Sequence, residues 1–279
     1  MIVVTGANGH LGRLVVEGLK AAVPAGQLVA AVRSPGKAAG LGVAVRKADY
    51  DDPATLATAF DGADKVLLIS GSEVGKRVAQ HRAVVEAAHN AGVKHLVYTS
   101  APKADTSTLI LAPEHKVTER LIRDSGVPFT FLRNGWYNEN YLPTIEHAAQ
   151  AGGFVGSAGQ GRSASAARAD YAAAAVAVLT SDGHQGRIYE LSGDVSWTYD
   201  DLAAEITKVT GKPITYTDLT PEQHKAALLE AGLPEETAEF AVLVDGDTKA
   251  GLLGEVTGEL RALIGRPSTP IRETIAAVV

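Results

Sequence analysis

Ile2-Val3-Val4-Thr5-Gly6-Ala7-Asn8-Gly9-His10-Leu11-Gly12-Arg13-Leu14-Val15-Val16 is the stretch that decides the fold. Ile2, Val3 and Val4 form a β-branched run, suited to a strand buried on both faces. A glycine-rich turn, Gly6 to Gly12, follows at once. Leu11, Leu14, Val15 and Leu19 then recur at helical spacing. The pattern predicts strand, turn and helix. Glycine lacks a Cβ, so such a turn can approach a pyrophosphate closely. The helix N-terminus adds free N–H groups and partial positive charge. The glycines are spaced Gly-x-x-Gly-x-x-Gly, one step away from the Gly-x-Gly-x-x-Gly dinucleotide fingerprint.

Composition narrows the function classes. The chain has 279 residues, 46% hydrophobic and 21% charged, enough for a large α/β core or two lobes. A net charge of −6 gives no general attraction to nucleic acid. With no cysteine, disulfides, thiolate catalysis and zinc–thiolate sites are excluded, and a cytoplasmic setting is expected. No apolar run is long enough to span a bilayer. The first strand begins at Ile2, which leaves no room for a signal peptide. Monomer and dimer are both open.

The second strand, Gln27–Arg33, ends where dinucleotide sites choose their cofactor. An acid there binds the ribose hydroxyls of NAD, whereas an arginine accommodates the 2′-phosphate of NADP. Arg33 stands there, with Lys37 beyond it and no acid before Asp49, so NADP(H) is expected. Arg13 is expected at the surface. Residues 42–48 form a third strand ending at Asp49-Tyr50, where Asp49 either faces the adenine or caps the helix begun by Asp51-Asp52-Pro53.

Lys65–Ser70 is the fourth strand, running into Gly71-Ser72-Glu73 at the carboxyl end of the sheet, where open parallel sheets bind ligands. His81 falls on the inward face of a helix over 77–91 and reads as a packed or partly exposed histidine, not a catalyst. His95–Ser100 and 126–133 complete the alternation. Strand–helix order throughout implies a parallel, doubly wound sheet of Rossmann type.

Asn134-Gly135-Trp136-Tyr137-Asn138-Glu139-Asn140-Tyr141 breaks this rhythm with a polar, aromatic loop at a strand's carboxyl end, a placement that suits a ligand-facing wall. The expected division is an NADP-binding domain over 1–150 and a smaller α/β C-terminal, mainly substrate-binding lobe over 151–279. Residues 188–191 are expected to return to the main sheet.

Together, Thr5–Gly12, Arg33, Asp49-Tyr50, Leu67–Gly75, Leu132–Tyr141 and Arg168-Ala169-Asp170-Tyr171 resemble the short-chain dehydrogenase/reductase superfamily in its atypical, NmrA-like branch. Within that branch they are similar to the flavin-free type-2 bacterial quinone oxidoreductases. The resemblance implies NADPH in a cleft between two lobes. Its implied cofactor contacts are Gly6, Ala7, Asn8, Gly9, His10 and Leu11 on the first turn, Arg33, and Ser70, Gly71, Ser72, Glu73 and Val74. On the facing side they are Tyr137, Asn138, Glu139, Asn140, Tyr141, Leu142 and Arg168. It also implies two-electron reduction of a quinone. An NADP(H)-binding redox sensor that signals through a protein partner is the alternative, and a reductase of another conjugated acceptor is a third reading.

One departure bears on mechanism. Typical superfamily members carry Tyr-x-x-x-Lys on the helix after the fifth strand, whereas this chain has His115-Lys116-Val117-Thr118-Glu119 and no tyrosine there. A ketone's alkoxide needs such an acid. A hydroquinone anion resembles a phenolate, with a pKa of about 10, and weaker donors suffice. The expected catalytic residues are Tyr137 against the nicotinamide–quinone pair, Asn134 or Asn138 bonding a carbonyl oxygen, and His115 as proton donor.

Overall fold

The computed structural model describes all 279 residues. The chain runs β1 (Ile2–Thr5), α1 (His10–Ala22), β2 (Leu28–Val32), β3 (Ala44–Lys47), α2 (Pro53–Ala59), β4 (Lys65–Leu68), α3 (Arg77–Asn90), β5 (His95–Ser100), α4 (Ala112–Asp124) and β6 (Phe129–Asn134). It continues through α5 (Leu142–Ala151), β7 (Gly153–Gly156), α6 (Arg168–Thr180), β8 (Ile188–Leu191), α7 (Tyr199–Thr210) and β9 (Thr215–Asp218). Four helices close it: α8 (Pro221–Glu230), α9 (Glu235–Lys249), α10 (Glu259–Ile264) and α11 (Ile271–Ala276).

Seven strands form one sheet in the order β3-β2-β1-β4-β5-β6-β8, with every pairing parallel. Helices cover both faces, over clusters of 24 and 20 buried residues. That double burial is why β1, β2 and β5 lack a polar alternation. β3, at the sheet's edge, keeps Arg46 and Lys47 and is only partly covered. The strand order reverses between β1 and β4. There the carboxyl ends diverge and open a crevice.

Ile188–Leu191 pairs with Phe131–Asn134, as the reading of 188–191 expected. The 1–150 and 151–279 division needs redrawing beyond that strand. α6 lies against α1, and Tyr171, Ala172, Ala174, Ala175 and Val178 share the core layer of Val4 and Leu11. Leu260 of α10 joins the same layer. Gly18 of α1 permits this close approach: a Cβ there would lie 2.8 Å from Val176 Cγ2.

The smaller lobe is built on the parallel pair β7–β9, with α5, α7 and α11 packed around an aromatic-rich core of Tyr141, Phe154, Trp197 and Tyr199. α11 lies in a tail with no clear periodic signal, and its Ile271 and Ile275 supply part of that core. No helix is long and apolar enough to cross a membrane.

Candidate dinucleotide site

The crevice at the strand-order reversal is a groove of about 530 Å³. One wall is the first turn, with Gly6, Asn8, Gly9, His10, Leu11 and Gly12. The edge carries Arg33, Ser34 and Lys37, the floor Asp49, Tyr50 and Asp51, and the far wall Ser70, Gly71, Ser72 and Glu73.

Steric demand explains the turn. Gly6 adopts φ +58, a region L side chains rarely enter. A Cβ on Gly12 would overlap Gly6 O and lie 2.7 Å from Ala7 Cα, so helix and turn close only on glycine. Gly9 sits at the N-cap of α1 with no side-chain cap, which leaves the first helical N–H groups facing the groove. Arg13, expected to be a plain surface residue, braces the turn instead: Nε donates to Asn8 O at 3.0 Å, and NH2 donates to Asn8 Oδ1 and to Lys37 O. The floor is also fixed. Tyr50 donates to Ile69 O at 2.9 Å and shares a hydrogen bond with Thr5 Oγ1. Burial pushes the Tyr50 phenol well above its ordinary range, so it stays protonated.

Arg33 is exposed at the mouth, 3.3 Å from Glu73 Oε1 across the groove. Lys76, and more weakly Arg33, hold the Glu73 carboxyl below its usual range. Ser34, Asp51 and Gln80 also line the groove and were missed by the sequence reading. Asp51 was read only as a helix start. Gln80 is buried and donates to both Asp51 carboxylate oxygens at 3.2 Å.

Ala7 is fully buried behind the turn, and Val74 is 63% exposed; neither lines the groove. The expected facing wall is placed differently again. Tyr137 packs on the core layer that holds Ala7 and Leu11, with its ring 5.1 Å from Tyr171 and the Arg168 guanidinium 5.0 Å away on it. Glu139 accepts the Arg168 N–H at 2.9 Å, joining the loop to α6. Asn140 is exposed and Leu142 half-buried.

Asn138 and Tyr141 correct the expectation. Asn138 is completely buried: Oδ1 accepts from Ser165 at 2.6 Å, and Nδ2 donates to Thr269 O and Thr274 Oγ1. Its hydrogen-bonding groups hold the loop onto the tail, so it has no free donor for a carbonyl oxygen. Tyr141 lies in the lobe core, 4.7 Å from the Trp197 ring. Asn134 is buried too: one Nδ2 hydrogen goes to Tyr137 Oη at 3.2 Å, and Oδ1 has no partner. An orphan acceptor cannot bond a quinone oxygen, which is itself an acceptor.

His115 corrects its reading as a proton donor. It is buried, and Nδ1 lies 2.7 Å from the Tyr98 hydroxyl. Burial first, then the Arg77 charge, push it down to about 3, so near neutrality the ring is neutral and no imidazolium is present to act as the acid. Ser100 donates to Glu119 at 2.7 Å, and Glu119 is bound in turn by Arg133. The end of β5 therefore offers no Ser–Tyr–Lys chemistry.

Comparison with known proteins agrees with this geometry. Residues 6–182 match the family described as NAD(P)H-binding. The chain is 50% identical to quinone oxidoreductase 2 of Escherichia coli over 99% of this chain and 98% of that protein. The crystal structure of an NADPH-dependent quinone oxidoreductase from Escherichia coli complexed with NADPH superposes with a TM-score of 0.97, at 49% identity, covering 100% of this chain and 99% of the other. The triphenylmethane reductase of Citrobacter sp. complexed with NADP(H) gives a TM-score of 0.97 at 38% identity, with both chains fully covered. With its parallel sheet, glycine turn and crevice at the strand reversal, the chain belongs to the NAD(P)H-binding family.

Proposed function

We propose that this protein reduces quinones by two electrons, taking hydride from NADPH directly and without flavin. The observation that carries the reading is a dinucleotide groove joined to a site without a strong acid. The turn, the uncapped N–H groups of α1 and the Arg33 guanidinium fit a dinucleotide with a 2′-phosphate. Ser100 and His115 are both committed elsewhere, so neither supplies the positioned acid that an alkoxide calls for. The 50% identity over nearly the whole chain supports a quinone as the acceptor.

NADPH, when bound, supplies the hydride. The chain's own residues hold and orient. Gly6, Asn8, Gly9, His10, Leu11 and Gly12 would hold the diphosphate, and Arg33, with Lys37, the 2′-phosphate. Arg33 must leave Glu73 to do so, which costs little because both groups are solvated. Tyr137, fixed by Tyr171, Arg168 and Asn134, offers a flat face at the carboxyl end of β6 for the acceptor. The hydroquinone anion takes its proton from water. Catalysis is then mainly proximity and orientation. The absence of cysteine suits a reducing cytoplasm.

The test is steady-state NADPH oxidation with a panel of benzoquinones, enones and imines. Quinone-dependent turnover with a strong preference for NADPH over NADH is expected. Tight NADPH binding with no turnover on any acceptor would replace this reading by a redox sensor. Turnover confined to the other acceptors would replace only the quinone.

A further inference from the structure

The far wall of the groove is a short turn, and most of its visible anchors come from behind it. Gly71 is held by both sides of its backbone: its N–H donates to His81 Nε2 at 3.0 Å and its carbonyl accepts from Arg77 Nε at 2.9 Å. Gly75 N–H donates to Glu114 Oε1 at 3.0 Å, and Glu114 Oε2 pairs with Arg77 at 3.1 Å. Ser70 N–H donates to Thr99 Oγ1 at 2.9 Å. His81 and Arg77 are almost fully buried. Ser70, Ser72 and Glu73 line the groove on the opposite side.

The hydrogen-bond directions in this set are fixed. A backbone N–H only donates, so Nε2 of His81 must present its lone pair to Gly71. The proton of the neutral ring then sits on Nδ1, 3.0 Å from Thr118 Oγ1. Thr118 sends its own hydrogen to Glu114 O at 2.9 Å. An imidazole can accept on one side and donate on the other without charge. A carboxylate would accept equally well, but would set a negative charge beneath the place of a diphosphate. A cationic ring would aim an N–H at the Gly71 N–H. Tyr98 and Tyr50 pack edge-on to the ring, at 5.5 and 6.2 Å, and keep water from it.

We propose that His81, backed by Arg77 and Glu114, is the positioning residue that fixes the Ser70–Glu73 turn against the bound dinucleotide. The proposal rests on NADPH occupying this groove. His81 touches no reacting atom, so its loss acts on cofactor binding and leaves the chemical step alone.

The experiment uses the full chain as wild type, His81→Phe, His81→Gln and Glu114→Gln. Each is measured for Tm, for NADPH Kd by nicotinamide fluorescence, and for quinone-dependent kcat and KM. His81→Phe strands the Gly71 N–H and is expected to raise the NADPH Kd about tenfold, with kcat at saturating NADPH within about twofold. His81→Gln keeps an acceptor and a donor and is expected to return to within about threefold of wild type. If His81→Phe does not fold, Glu114→Gln decides: a Kd raised about threefold supports the proposal, and an unchanged Kd overturns it. A folded His81→Phe with wild-type Kd, a loss confined to kcat, or a Gln variant as weak as Phe overturns it as well. The nitrogen-15 signals of His81 give a readout independent of catalysis: Nε2 is expected unprotonated from pH 8 to 5, and a ring titrating near 6.5 overturns the arrangement. A wild type that binds no NADPH defeats the functional reading, whereas normal wild-type turnover with an indifferent His81→Phe defeats only this one.

Discussion

The glycine turn and the 134–142 loop were both expected to touch the cofactor, yet they are built in opposite ways. The turn leaves the first N–H groups of α1 free, with no side-chain cap, and Gly6, Asn8, Gly9, His10, Leu11 and Gly12 line the groove, while Arg13 takes up the Asn8 oxygens. The loop spends its polar groups internally, Asn138 on Ser165, Thr269 and Thr274, Asn134 on Tyr137, and Glu139 on Arg168. The lesson is that a polar residue in a loop at the ligand end of a sheet serves the ligand only if the fold leaves it unpaired. Backbone N–H groups at a helix start are unpaired by geometry. Asparagines are free only by circumstance, and here the smaller lobe claims them.

The sharpest way to break this comparison is Gly12→Ala. Its Cβ meets backbone on two sides, which flexible side chains cannot relieve. Binding of NADPH should become unmeasurable by fluorescence titration, and stability should fall by about 2–4 kcal/mol in denaturant unfolding. An unaltered Kd would mean the turn is not the phosphate site. Arg33→Ala comes next. Losing a charge-assisted contact worth about 1.5–3 kcal/mol should weaken NADPH by roughly 10- to 100-fold while NADH changes little. Equal losses for both nucleotides would remove Arg33 from the 2′-phosphate.

On the loop side, Asn138→Ala should lower stability by about 1–3 kcal/mol, because the Ser165 hydroxyl and the Thr269 carbonyl lose their partner. Its kcat should stay within about twofold; a large selective fall in kcat would restore Asn138 to the site. Tyr137→Ala should lower quinone turnover about tenfold and leave the NADPH Kd within about threefold. Unchanged turnover would take Tyr137 out of the mechanism.

The smallest effect near neutrality concerns the buried rings. His81 and His115 are pushed down to about 3, by burial first and then by Arg77. The unfolded chain takes up these protons near pH 6.5. Stability is therefore full above that pH and falls as pH descends towards 3, by about 1.4 kcal/mol per unit for each ring across the interval. Unfolding measured at pH 7.5, 6 and 5 should show about 1.6 kcal/mol lost between the first two for the pair of rings, then a steeper loss of about 2.4 kcal/mol between the last two. A flat profile would mean that the rings titrate normally in the fold.

Much of the architecture was legible because its signals are local. An apolar run followed by glycines and then a helical period can be read without knowing what lies opposite. Arg33 was legible because its position is counted from that same run. His115 was not, since neighbours one and three residues along are charged or β-branched and only Tyr98, distant in sequence, shows it to be buried. The same holds for α6: nothing in its local run pointed to α1, where Gly18 leaves room for Val176. Ser34 and Asp51, on loops, and Gln80, on α3, are brought to the groove by a convergence that sequence spacing does not connect.

By itself the sequence determined the parallel doubly wound sheet, the phosphate-binding turn and the cationic edge that suits NADP(H). Each follows from periodicity and from the conformations that glycine alone tolerates. The tertiary structure alone decided which polar side chains remain free. It gave Asn138 to the tail, His115 to Tyr98 and Ser100 to Glu119, and set His81 beneath the far wall. The physical reason is that a hydrogen bond satisfied by a residue tens of positions away leaves no mark on the local pattern, yet determines whether a group can serve a ligand.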